Sequence, residues 1–152
     1  MHMRLWFLTA WMAFVAGQAF ARIGENQIQH EQRYGRARGD AGTNNTATLQ
    51  MNCKKTYDFQ GWQLVVNFEA GRAEMIQYWN YDGVAKHHIQ AILQAEAGGG
   101  KWTEISAGRW INSNGRILEG NTYLVRVRTS AFAAREAAAA AARRAPKPSP
   151  AF

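Results

Sequence analysis

The alternation of apolar and polar residues is clearest between positions 59 and 79, where it predicts a β-hairpin. The first strand places four apolar side chains on one face, those of Trp62, Leu64, Val66 and Phe68. A period of two residues is typical of a strand with one buried face. A turn over 69–72 returns the chain as a second strand over 73–79. Pairing Phe68 with Ala73 predicts a less apolar second face, which carries Val65 opposite Ile76 and Gln63 opposite Tyr78.

Helical periodicity and turn residues predict the remaining elements. The segment 24–34 ends at Gly35 and predicts a short helix, and 84–96 predicts a second helix that ends at a run of glycines. Asn114-Gly115 is a hairpin turn signal. Further strands are predicted near 48–53, 102–106, 109–112, 116–119 and 123–129. We therefore predict an α+β domain, in which two short helices pack on one face of an antiparallel sheet of roughly four to six strands.

The first 21 residues carry the three parts of a secretory signal peptide. Arg4 provides the positive region, residues 5–17 are uncharged and mostly apolar, and Ala19-Phe20-Ala21 offers the small residues that a signal peptidase recognises. This apolar run is too short to span a bilayer, which takes roughly 20 residues. We expect an exported protein, periplasmic or secreted, that is cleaved after Ala21 and has no transmembrane anchor in its mature form.

The rest of the chain divides into a single α+β domain over 22–130 and a basic tail over 131–152. The domain is long enough to bury one modest core. The tail is Ala-rich and then Pro-rich, which predicts an Ala-rich C-terminal helix followed by a disordered end. The formal net charge is +7, and the tail sets four basic residues against Glu136 alone. Because the other cations are scattered, we expect no nucleic-acid partner.

The sequence contains no catalytic constellation and no cofactor motif. Cys53 is the one cysteine, so no intramolecular disulfide can form, and we interpret it as a buried thiol. His87 and His88 are adjacent, and neighbouring residues on a helix point about 100° apart, which does not suit a shared metal. Gly98-Gly99-Gly100 follows a helix, whereas a phosphate-binding loop precedes one. We expect no cofactor and no metal, and an enzyme of unknown class remains an alternative.

The start of the mature chain, from Arg22-Ile23-Gly24-Glu25 to Arg33-Tyr34-Gly35, resembles a group of uncharacterised small exported bacterial proteins. The shared plan continues through a hairpin with a turn at 68–71 and a helix that ends in glycines before Trp102. This resemblance covers most of 22–130 and implies export without implying an activity.

The spacing of Gly24, Tyr34 and Gly35 is also similar, more remotely, to a helical motif of SmpA/OmlA-like envelope proteins and beta-lactamase-inhibitor-like domains. That similarity implies short helices on an antiparallel sheet and an exposed surface that binds a protein partner. The chain departs from the pattern at His30, where an aliphatic residue is usual, at Ala37, where proline is usual, and in lacking a lipoprotein cysteine.

The leading functional hypothesis is an exported, non-enzymatic binding module that engages a protein partner through an open sheet face. Mixed aromatic, aliphatic and arginine character is typical of the centre of a protein interface. The candidate residues on the second face are Val65, Ile76, Tyr78, Arg126 and Arg128. One alternative is that a further helix, such as the Ala-rich tail, covers this face. Another is a cell-wall or carbohydrate-polymer binding protein that uses Trp102 and Trp110.

Overall fold

A computed structural model describes residues 22–38 and 52–144. The predicted signal peptide, its cleavage point after Ala21, most of the strand predicted near 48–53 and the Pro-rich end all lie outside the described residues. The elements in chain order are α1 (Gln27–Tyr34), β1 (Cys53–Phe59), β2 (Trp62–Glu69), β3 (Arg72–Asn80), α2 (Lys86–Ala95), β4 (Trp102–Ser106), β5 (Arg109–Asn112), β6 (Arg116–Gly120), β7 (Leu124–Thr129) and α3 (Ser130–Arg144).

The strands form one antiparallel sheet in the order β1-β2-β3-β7-β6-β5-β4. The α+β class predicted from the sequence is confirmed, although the sheet has seven strands instead of four to six. The first strand begins at Cys53, where the prediction ended it, and continues to Phe59. It does so because Tyr57 is fully buried and Phe59 packs against the same core.

The core lies on the face of the sheet that α1 and α2 cover. From the helices it receives Tyr34 of α1 and Ile92 of α2, with Ile89 and Leu93 packed around them. From the sheet it receives Tyr57, Leu64, Val66, Phe68, Ala73, Ile76, Tyr78, Leu118, Val125 and Val127. No disulfide supports the domain, so this layer supplies most of its stability.

The segment before α1 is tied to the sheet, which is why the helix begins at Gln27 and not at Gly24. The Gly24 N–H donates to the Ala73 carbonyl at 2.8 Å, and the Ala73 N–H donates to the Glu25 carbonyl at 2.9 Å. Asn26 then caps α1 by accepting a hydrogen bond from the Gln29 N–H at 2.9 Å. Residues 23–25 therefore behave as an extension of the sheet.

The hairpin of β2 and β3 contains a β-bulge between Asn67 and Phe68. Phe68 faces Ala73 as predicted, but the extra residue moves every earlier pair by one position. Val65 therefore faces Gln77, and Leu64 faces Tyr78. Since a shift of one residue moves a side chain to the other face, half of the predicted second face is in the core.

The C-terminal helix α3 starts directly after β7 and lies against the second face of the sheet. It spans Ser130–Arg144, close to the Ala-rich helix predicted from the sequence. Its first turn is fastened by the Thr129 hydroxyl, which accepts a hydrogen bond from the Phe132 N–H at 3.1 Å. Among the residues described, no helix is both long enough and apolar enough to cross a membrane.

Candidate functional site

Two of the five predicted binding residues do not lie on the second face. Ile76 and Tyr78 each have 0% of their surface exposed and belong to the core. Their predicted position was wrong because the bulge before Phe68 reverses the facing of β3 relative to the first half of β2. No partner can contact these two side chains without unfolding the sheet.

The other three predicted residues are on the second face, and the register shows their neighbours. One row across the sheet contains Val65, Gln77, Arg126, Glu119 and Arg109. The adjacent row contains Asn67, Met75, Arg128, Ile117 and Ile111. On the other side of the first row, Trp79 lies between Gln63 and Leu124. The second face therefore carries a charged row between two rows that include apolar residues.

Val65 and Met75 are buried although they lie on the second face, with 8% and 5% of their surfaces exposed. Phe132, which begins α3, is buried as well. The Ala-rich tail covers part of this face, because α3 packs on β7 and its Arg135 pairs with Glu69 of β2. We call the area around these contacts the α3 patch and define it as Val65, Met75, Arg126 and Arg128.

Arginine and glutamate side chains connect α3 to the sheet. Arg128 pairs with Glu136 of α3, and it also donates to Glu119 at 3.0 Å. Arg126 donates to Glu119 at 2.8 Å and lies 3.7 Å from Glu136. Arg135 of the same helix pairs with Glu69 at the end of β2. These ion pairs hold the helix against the face in addition to Phe132.

Glu119 is the acceptor at the centre of this network. Partial burial pushes the pKa of Glu119 upward, but the hydrogen bond from Arg126 and the charges of Arg128, Arg126 and Arg109 outweigh burial. The pKa of Glu119 is therefore lower than usual. The carboxylate stays ionised, so the arginines around it remain oriented across the middle of the face.

The remaining part of the second face is not fully buried. Ile111 is 39% exposed, Ile117 beside it is half-buried, and so are Trp79 and Leu124. Arg109 lies within 3.4 Å of Glu119, and 45% of its side chain is exposed. We call this area the open patch and define it as Trp79, Arg109, Ile111, Ile117 and Leu124. The open patch was not predicted from the sequence, although Leu124 lies two residues before Arg126 in a strand, a spacing that puts both side chains on one face.

The tryptophans proposed for carbohydrate binding are not displayed on an open surface. Trp102 and Trp110 are both half-buried and pack against the core. The indole N–H of Trp102 donates to the Leu93 carbonyl at 2.7 Å, which fixes β4 to the end of α2. The packing of both tryptophans against the core is a structural role, and it leaves less of each ring available for a sugar.

A second polar cluster lies where the N-terminal segment meets the end of α2. Glu96 is fully buried, and it accepts hydrogen bonds from the Ile23 N–H at 3.0 Å and the Tyr78 hydroxyl at 3.1 Å. Arg116 donates to the same carboxylate at 3.2 Å. Burial raises the pKa of Glu96 to about 7, against the opposing effects of Ile23, Arg116 and Tyr78. Both oxygens are used within the protein, so Glu96 anchors the N-terminal segment.

An open groove of about 580 Å³ borders this cluster. Its lining includes both signs of charge, from Arg22, Glu25, Arg72 and Arg116. Arg116 is already engaged by Glu96, and Arg72 donates to the Gly24 carbonyl at 3.2 Å. The polar groups of the groove thus serve mainly to hold the N-terminal segment.

His30 lies in α1, whereas His87 and His88 lie in α2, where their ring centroids are 4.0 Å apart. His30 is fully buried among Tyr34, Tyr57 and Phe68, with ring centroids 5.2 to 5.9 Å away. Burial lowers the pKa of His30 to about 4, and this outweighs the opposing effect of the Arg22 backbone. His88 uses Nδ1 to accept a hydrogen bond from the Ala85 N–H at 3.2 Å, at the start of α2.

Metal-ligating residues do not converge within 22–38 and 52–144, where no group of three or more such side chains has the geometry of a metal site. Cys53 is half-buried instead of fully buried, and its sulfur accepts a hydrogen bond from Gln27 Nε2 at 3.0 Å. The second sheet face therefore remains the strongest candidate for a functional surface.

The fold and this surface together define an α+β domain with a seven-stranded antiparallel sheet, helices on both faces, and a charged face partly covered by its own C-terminal helix. No protein-family model, no curated protein and no solved structure matches the chain. The resemblances drawn from the RIGE and RYG segments therefore stay predictions.

Proposed function

We propose that this chain is an exported, non-enzymatic binding module that engages a protein partner through the open patch. The observation that carries the proposal is an exposed isoleucine, Ile111, that lies beside Ile117 and next to the row that contains Arg109 and Arg126. Interface centres combine apolar contact area with arginines, whose several N–H donors can bind partner carbonyls and carboxylates. The open patch has both components on one side of the sheet.

The composition of the open patch supports a protein ligand over a small molecule. Trp79 and Leu124 lie on one side of the charged row, and Ile117 and Ile111 lie on the other. This arrangement is broad and follows the sheet, whereas small-molecule sites are concave and enclose most of their ligand. An extended, shallow surface of this kind suits contact with another protein.

The test is affinity capture from envelope extract with tagged mature protein, residues 22–152, at low and at high salt. The matched pair of variants is Ile111→Glu, in the open patch, and Ile28→Glu, on α1. Ile28 is 49% exposed and lies on a helix that packs on the other face of the sheet, so both variants replace an exposed isoleucine with the same charge.

The expected result is one partner that is retained at high salt, is captured by Ile28→Glu, and is lost with Ile111→Glu. A partner lost equally with both variants would contradict a role for the open patch. Capture of many anionic proteins that all dissociate at high salt would instead assign binding to the basic tail, because exposed charges are screened by salt.

A further inference from the structure

The α3 patch has an occupant in the structure, and that occupant shows which chemistry the patch accepts. Phe132 is the one residue of α3 that is buried, and the side chains from Ala137 to Arg144 are exposed. Glu136 lies four residues after Phe132, so both side chains project from the same side of the helix. The contact therefore consists of one aromatic ring, one carboxylate and the Arg135 ion pair.

Charge complementarity explains the carboxylate. Arg126 and Arg128 both approach Glu136, and the same two arginines share Glu119 with Arg109. Without α3, three arginines would face the single carboxylate of Glu119. The α3 patch is therefore a cationic surface beside the apolar side chains of Val65 and Met75.

One polar atom shows that α3 does not satisfy this patch completely. Arg128 Nε is buried and has no hydrogen-bond partner among the described residues, although the same guanidinium pairs with Glu136 of α3. A buried donor without a partner destabilises the covered state relative to a ligand that satisfies it.

We propose that the α3 patch recognises an amphipathic helix of a partner protein, with an aromatic side chain and a carboxylate four residues later, and that α3 occupies the patch until this helix replaces it. The inference rests on the proposed function. It names the kind of partner, and it requires that Phe132 and Glu136 of α3 leave the α3 patch when the partner binds. A polar side chain on the incoming helix would also accept a hydrogen bond from Arg128 Nε.

The test uses a probe whose chemistry is known to fit, a fluorescent synthetic peptide with the sequence of residues 130–144. The receptor is the full mature chain carrying Phe132→Ala and Glu136→Ala, which empties the patch. Because the tethered helix of the unchanged chain competes at high effective concentration, we expect the peptide to bind the doubly substituted chain at least tenfold more tightly. The same peptide with both substitutions is the matched control and should not bind.

A second measurement does not depend on the substituted chain being folded. Hydrogen exchange of the unchanged chain should show faster exchange in α3 than in β7, and excess peptide should speed the exchange of α3 further. Equal protection of α3 and β7, unaffected by the peptide, would overturn the proposal. So would dimers of the unchanged chain that exchange their own α3 helices, because the partner would then be a second copy.

The two proposals fail separately. Loss of peptide binding with Arg128→Ala but not with Ile111→Glu would support the α3 patch as the peptide site. If the peptide binds nowhere while envelope capture still depends on Ile111, the α3 inference is wrong and the proposed function stands. If the peptide binds and no partner depends on Ile111, the open patch is not the site of the partner, and the α3 patch is still a site for a helix.

Discussion

The backbone N–H of Ile23 donates a hydrogen bond to the carboxylate of Glu96, 73 positions away in the sequence, at 3.0 Å. This contact joins the first described residues to the end of α2. Arg116 of β6 contacts both ends of the connection, since it donates to Glu96 and reaches the Ile23 carbonyl at 3.4 Å. One buried carboxylate thus holds together three segments that are distant in the chain.

We expect Glu96 to make stability fall as pH rises. Burial raises the pKa of Glu96 from 4.5 to about 7. Its contribution is therefore fully present below pH 4.5 and is lost as pH rises through 7. The change is on the order of 3 kcal/mol, from about 1.4 kcal/mol for each pKa unit. Urea unfolding of Glu96→Gln should therefore show a free energy of unfolding that rises with pH between 4.5 and 6.5, where the parent changes little, and a pH profile identical to that of the parent would contradict the assignment.

His30 should have the opposite effect. Burial lowers the pKa of His30 from 6.5 to about 4, so its contribution is present above pH 6.5 and is lost as pH falls toward 4. Between pH 4.5 and 6.5 the two residues oppose each other, and the parent chain should show a nearly flat unfolding free energy. In His30→Phe the effect of Glu96 is no longer cancelled, so the free energy of unfolding should decrease as pH rises. If the free energy of unfolding of His30→Phe depends on pH as little as that of the parent, His30 does not titrate in this range.

The corrected register predicts which isoleucine matters for folding. Ile76 is fully buried and Ile111 is 39% exposed. Ile76→Ala should lower the free energy of unfolding by about 2–5 kcal/mol, because it leaves a cavity. Ile111→Ala should change it by roughly 0.5 kcal/mol or less. Chemical denaturation of both variants measures the difference, and similar losses would contradict the placement of β3.

The two halves of α3 should respond differently to substitution. Phe132→Ala removes the buried side chain and should cost about 1–3 kcal/mol. Ala140→Pro lies among the exposed alanines, where a proline should unwind the last turns and leave the free energy of unfolding of the domain within roughly 0.5 kcal/mol of the parent. Thermal unfolding and helix content by circular dichroism report the two effects separately. A large cost for Ala140→Pro would mean that the end of α3 is packed.

The sequence was informative wherever one periodicity governed a whole element. Arg126 and Arg128 lie on the second face as predicted, because no irregularity interrupts the alternation of β7. The helices were found from their apolar residues and terminal glycines. Their starts were less certain, since the pairing of Gly24 with Ala73 replaces the first helical turn and depends on a distant strand.

The position of the candidate site depended on features that have no local signal. The bulge between Asn67 and Phe68 arises from how β2 and β3 pair, and it moved Ile76 and Tyr78 into the core. The covering of Val65 depends on where α3 lies, which helix propensity does not determine. Sequence reasoning therefore placed Val65, Arg126 and Arg128 on the second face correctly and missed the residues of the open patch.

The place of β7 in the middle of the sheet has a consequence for the order in which the chain can fold. β7 lies between β3 and β6, yet it is the last strand in the chain. During synthesis the hairpin of β2 and β3 and the strands β4 to β6 remain two separate half-sheets, each with an unpaired edge, until residues 124–129 emerge. A chain that completes its sheet only with its last strand exposes two unpaired strand edges until then, and such edges can pair with other chains.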